Sequence, residues 1–181
     1  MWESFWDFSI RTYGCTEVPE ACLTLQNSYG ADVNILLFTL WYGHTRGTID
    51  EPLFVEILTF SERWSAQVVK PLRGVRSWLK TEGCEDQHIV QEDCQSYREK
   101  VKKLELAGEK IQQEVLQSMV AGYKEIDETL QIQLASMLRN SEAYFSYLRV
   151  DMDKVLKTHL SVIAAAAIKQ LSADEVLTKL K

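Results

Sequence analysis

The hydrophobic pattern is densest from Ala31 to Tyr42, A-D-V-N-I-L-L-F-T-L-W-Y, where apolar residues fall on every side of a helical wheel and only Asp32, Asn34 and Thr39 interrupt them. A helix of that kind has no face to give to water and must be packed all round. The pattern therefore predicts a central helix, opened by Asp32 as its cap and ended by Gly43. Before it, Trp2, Phe5, Trp6, Ser9 and Tyr13 share one side of a docking helix closed by Gly14. Next comes a helix capped by Thr16, with Pro19 in its first turn and Ala21, Cys22, Leu25 and Tyr29 buried, which Gly30 stops.

After a polar turn over His44 to Thr48, Asp50 and Pro52 signal a short helix carrying Leu53, Phe54, Ile57 and Leu58. Thr59 and Glu62 have capping-box spacing ahead of a helix over 61–81, with a kink or restart near Lys70 because Pro71 removes a backbone donor. Its wheel groups Trp64, Val68, Leu72, Val75, Trp78 and Leu79 on one side and Arg63, Lys70, Arg73, Arg76 and Lys80 on the other. Gly83 ends it, and the polar stretch 82–87 is the best internal boundary.

From Tyr97 to Met137 apolar positions recur at a mean step of about 3.6 residues, the period of a straight α-helix, with Gly108 and Gly122 as places for a kink, fold-back or close crossing. Asn140 and Ser141 separate this stripe from a last long helix through Tyr144, Leu148, Leu156, His159 and Ile163. Along it, Ala164 to Ala167 would admit another backbone, and Ser172 with Glu175 opens a short terminal helix over 173–180. The fold expected is all-α: a compact N-terminal bundle around a buried central helix (1–83), followed by a long antiparallel helical hairpin (84–181) packed on the bundle or on a partner.

Composition narrows the function classes. The 181 residues are 46% hydrophobic and 25% charged, with only 8 Gly and 3 Pro, an ordinary globular balance. Net charge is −6, with 7 basic against 10 acidic residues in 1–83 and 13 against 16 in 84–181, so neither half is a basic nucleic-acid arm. No apolar run approaches the roughly 20 residues of a transmembrane helix, and the start lacks the pattern of a signal peptide. Cys15, Cys22, Cys84 and Cys94 form no C-x-x-C pair, so reduced thiols and a cytoplasmic location are expected.

Three candidate chemistries stand out. Asp32 and Asn34 would line a pocket at a helix N-terminus, where free N–H groups favour an anion, with Tyr13, His44 and Arg46 as neighbours. The stripe of Lys70, Arg73, Arg76 and Lys80 would hold a phosphate or an anionic surface. Cys84, His88 and Glu92 stand at i, i+4 and i+8, but the outer two lie about 12 Å apart along a helix, so no metal site is expected. No catalytic motif is present, no catalytic residue is named, and no cofactor is expected.

Particular residues carry a resemblance. Trp6-x-Phe8-Ser9, Gly30-Ala31-Asp32-Val33-Asn34-x-Leu36-Leu37-Phe38 and Val69-x-Pro71-Leu72-Arg73 are similar to the pattern of a family of small helical bacterial proteins of unknown function. The likeness spans Trp2 to Lys80, with a looser similarity from Tyr97 to Glu109. It implies a small, soluble, helical protein and no particular activity. The functional expectation is a non-catalytic helical adaptor or scaffold that binds a protein partner or self-associates, with an anionic small-molecule or enzymatic pocket at Asp32 and Asn34, or anion binding by the Lys70 to Lys80 stripe, as the alternatives.

Overall fold

In the computed structural model, which describes residues 3–180, the chain is all-α, with no strand among the described residues. Helices α1 (Phe5–Tyr13), α2 (Val18–Tyr29), α3 (Val33–Thr45), α4 (Glu51–Trp64), α5 (Lys70–Thr81), α6 (Gln91–Met119), α7 (Leu130–Tyr147), α8 (Lys154–Ile168) and α9 (Ala173–Leu177) follow in order. Among the described residues no helix is long and apolar enough to cross a membrane. Trp2, placed on the docking helix from its spacing, lies outside the described residues.

Helix α3 is the centre of the core. Every residue from Asn34 to Gly43 is buried, and α1, α2, α6, α7 and α8 all pack on it. Its start is set locally: Gly30 ends α2 at φ +72°, a conformation that favours glycine, and Asp32 caps α3 by accepting the Asn34 N–H at 2.9 Å. Gly43 does not end it. The helix runs on to Thr45 because Gly43 is where α7 crosses, and a Cβ there would lie 2.5 Å from the Met137 backbone. Thr16 is not the cap of α2 either; Glu17 occupies that position without a side-chain bond.

The long apolar period from Tyr97 is broken after Met119, beside Gly122, and not at Gly108. Gly108 stays helical and marks a close crossing, where a Cβ would meet Val68 at 3.2 Å and Trp64 Nε1 donates to its carbonyl at 2.9 Å. The expected antiparallel pairing of the two long helices is not the one found. Helix α6 packs on α5, α7 makes the most extensive contact in the molecule with α3, and α8 packs on α2.

Asn140 and Ser141, expected between helices, lie inside α7 and are buried. Their polarity serves a tertiary purpose. Asn140 donates to the Gly47 carbonyl at 3.0 Å and accepts from the Ile49 N–H at 3.0 Å, and Ser141 and Thr39 hydroxyls lie 3.1 Å apart. The turn after α3 thus finds its hydrogen bonds on α7. The last long helix instead begins at Lys154, capped by Asp153, and Ser172 with Glu175 forms the expected capping box.

Helices α4 and α5 form one path joined by a π-helical turn over Ser65–Val69, which accommodates Pro71 in the first turn of α5. Thr59 sits inside α4, bonded to the Val55 carbonyl, so the Thr59–Glu62 capping box does not form.

Four reduced thiols were the expectation, but Cys84 and Cys94 are joined in a disulfide that closes the α5–α6 turn, while Cys15 and Cys22 are free. The short helical turn Gly83–Glu85 and the first turn of α6 bring the two Cα atoms to 5.4 Å, within bonding range. The same turn removes the premise of a metal stripe: Cys84, His88 and Glu92 do not share a helix, and among the described residues no group of three His, Cys, Asp or Glu is placed to hold an ion. Thiol titration in denaturant should find two groups before reduction and four after it. Reduction should lower the unfolding free energy by about 2–3 kcal/mol, the loop-closure effect expected for so short a separation, read from the urea midpoint.

Candidate functional site

The start of α3 is held by a polar hub on α6 and α7. Asn34 donates to Gln112 Oε1 at 2.8 Å and accepts from Gln113 Nε2 at 2.7 Å. Gln112 also reaches Asp32 at 3.4 Å, and the Asp32 backbone N–H donates to the Tyr144 hydroxyl at 2.7 Å. Asn34, Gln112, Gln113 and Tyr144 are all buried, so each bond replaces one that water would otherwise make. Burial raises the Tyr144 hydroxyl pKa, and the Asp32 charge adds to it.

Beside this hub lies an ion network between α5 and α6. Arg73 spans three partners: Glu105 at 2.9 Å, Glu109 at 2.7 Å and Gln26 at 2.7 Å. Arg76 makes a short contact to the other oxygen of Glu105. Burial alone would raise the Glu105 carboxyl pKa, but the hydrogen bonds and charges of Arg76 and Arg73 outweigh it and hold the group below its ordinary value. Glu109 goes the other way: burial raises it, Arg73 opposes, and the neighbouring Glu105 and Asp32 charges add to the rise.

Two hollows flank this network. One, of about 260 Å³, is lined by Asp32, Asn34, Lys70, Arg73, Glu109 and Tyr144 among others. The other, of about 480 Å³, has Trp6, Tyr13, Leu37, Arg73, Arg76 and Gln113 in its walls. Five of the nine predicted site residues therefore converge: Tyr13, Asp32, Asn34, Arg73 and Arg76, with Lys70 at the edge. His44 and Arg46 do not join them. They sit at the far end of α3, roughly 18 Å along the axis, where His44 bonds Gln133 and Arg46 lies over Trp41 and 3.5 Å from Glu125.

The basic stripe is also divided. Arg73 and Arg76 turn inward to glutamates of α6, leaving Lys70 and Lys80 exposed. The inward turn rotates the predicted wheel: Val75 and Trp78, expected inside, are exposed, while Leu72 stays half-buried and Leu79 buried. The π turn at 65–69 inserts about one residue of phase, roughly 100°, before α5 begins.

Helix α6 shows the same offset. Its buried side is Val101, Glu105, Gly108, Gln112 and Leu116, whereas Tyr97, Leu104 and Ile111 of the predicted stripe are 56%, 58% and 45% exposed. These three stand at i, i+7 and i+14, so they form one line along the outer side of a 29-residue helix. Sequence reasoning missed Gln112, Gln113, Glu105 and Glu109 because polar residues beside leucines read as the solvent face. The available signal was spacing, since Val101, Glu105, Gly108 and Gln112 recur at helical intervals. Cys22 is an inert packing thiol, pushed up to about 12 by burial.

A family model described as "Protein of unknown function (DUF2390)" matches residues 4–116, while no curated protein and no solved structure matches. The match extends past the resemblance seen from Trp2 to Lys80 and, more loosely, from Tyr97 to Glu109, and takes in the Gln112–Gln113 side of the hub. Since it covers more than half of the sequence, the chain belongs to the DUF2390 family.

Proposed function

We propose that the protein is a non-catalytic helical adaptor that docks a protein partner along the outer side of α6. The observation that carries this reading is the line of Tyr97, Leu104 and Ile111, about half exposed on a regular helix whose other face is already used by α5 and the core. Helix α5, which packs on α6, carries Val75 and Trp78 at 43% and 51% exposure. Half of each such side chain is on the order of 100 Å². Five give on the order of 500 Å² of apolar surface, in the range of the largest patch on a typical monomer, which is often functional. Two of the four cationic groups of the α5 stripe, Arg73 and Arg76, are neutralised within the chain by Glu105 and Glu109. Anchors spaced one heptad apart suit an amphipathic helix lying along the stripe.

Leu104→Glu is the test. Because the side chain is exposed, the substitution should move the unfolding free energy by no more than about 0.5 kcal/mol, while a partner retained by the wild-type chain in affinity capture should be lost. Undiminished capture by the substituted chain would refute the reading.

A further inference from the structure

The α6 face offers a self-complementary arrangement, and we propose that its occupant is a second copy of this chain, laid antiparallel about Ala107. The inference rests on the docking reading above and names the partner. Val90, the N-cap of α6, and Tyr97, Leu104 and Ile111 within it are exposed at successive steps of seven, a row that a second helix can follow. Charge then selects the orientation. Lys100 and Glu114 are both exposed and stand seven residues either side of the small, exposed Ala107.

A parallel pair would place Lys100 beside Lys100 and Glu114 beside Glu114 of the other copy. An antiparallel pair with its twofold axis at Ala107 opposes Lys100 of each copy to Glu114 of the other. The same register sets Leu104 within one residue of Ile111. Ala107 at the crossing lets the helices approach closely. Glu114 lies 3.7 Å from Lys110 of its own helix, an exposed pair that a neighbouring chain can share or displace. The α6 row of Val90, Tyr97, Leu104 and Ile111 offers on the order of 400 Å² per copy, so the pair would bury about 800 Å², the size of a weak, transient contact. The association should therefore be reversible and concentration dependent.

Sedimentation equilibrium on the full chain, from micromolar to submillimolar concentration, tests this. The expected result is a monomer–dimer equilibrium whose Kd rises at least tenfold with Leu104→Glu. It should rise severalfold with Lys100→Glu or Glu114→Lys alone and return towards wild type when the two are combined. A dimer indifferent to Leu104→Glu overturns the proposal, and so does a double swap that fails to restore it, because only antiparallel pairing makes the swaps compensate. A chain monomeric at every concentration also overturns it. In that case the docking reading stands if affinity capture still depends on Leu104, and falls if it does not.

Discussion

Gly43→Ala should destabilise the protein by about 3 kcal/mol, seen as a fall in Tm of roughly 10 °C for a chain of this size. Two effects compete. Alanine is the better helix former by about 1 kcal/mol, which alone would raise stability. Against it, the new methyl would sit 2.5 Å from both Cα and N of Met137, and 2.9 Å from the Ser136 carbonyl carbon. Those are backbone atoms of a buried helix, so no rotamer change relieves the overlap. Helices α3 and α7 must separate along their whole contact, opening packing around Phe38, Met137 and Phe145. Gly74→Ala is the internal control. Nothing lies within 4 Å of a Cβ there, the residue is exposed on α5, and the propensity gain of up to about 1 kcal/mol should appear undiminished. Thermal unfolding followed by circular dichroism reads both.

Glu105→Gln carries the second large effect. The carboxylate is buried and receives Arg73 and Arg76, which are themselves only partly exposed. A neutral amide leaves two guanidinium groups without their shared counter-charge, at a cost of about 2 kcal/mol at neutral pH, less than for a fully buried pair because solvent reaches the arginines. The pH dependence has a definite sign. A carboxyl whose folded pKa is depressed stabilises the fold above its unfolded value, and that contribution is lost as pH falls through the folded value. Wild type should therefore lose stability on acidification below about pH 4, and the gap to Glu105→Gln should close. Glu109→Gln should behave differently. The Glu109 pKa is raised, so its ionised form opposes folding and acidification relieves it; replacing it should cost little at neutral pH. Urea unfolding across pH separates the two.

Local signals were legible in the sequence wherever the chemistry is itself local. Asp32 and Asp50 cap their helices by accepting backbone N–H groups, Gly30 takes the left-handed turn, and Ser172 with Glu175 closes its box, all within three residues. The all-round burial of α3 was equally plain from its composition. What the sequence hid is tertiary. Asn140 and Ser141 look like a break because polar pairs usually face water, yet from within α7 Asn140 satisfies the turn after α3 and Ser141 faces Thr39 of α3. Gly43 looks like a stop because only the approach of Met137 explains it.

The candidate site shows the same division. Asp32 and Asn34 were identifiable as an uncomfortable pair, but their partners Gln112, Gln113 and Tyr144 lie about 80 to 110 residues away, beyond any local pattern. Arg73 and Arg76 read as solvent-facing because an ideal wheel cannot register a π turn; the one-residue shift turns α5 so that they face α6 while Val75 and Trp78 come to the surface. Cys84 and Cys94 gave no motif, and only the turn geometry joins them.

The central claim is that α3 is the shared core on which both parts of the chain depend, held by α7 through Gly43 and by α6 through the Asn34 hub. Native-state hydrogen exchange tests it most directly. The amides from Leu36 to Thr45 should be the slowest in the protein and should exchange only through global unfolding, with a free energy equal to that from urea denaturation. Exchange of those amides through a lower-energy local opening, with α7 and α6 still protected, would contradict the account.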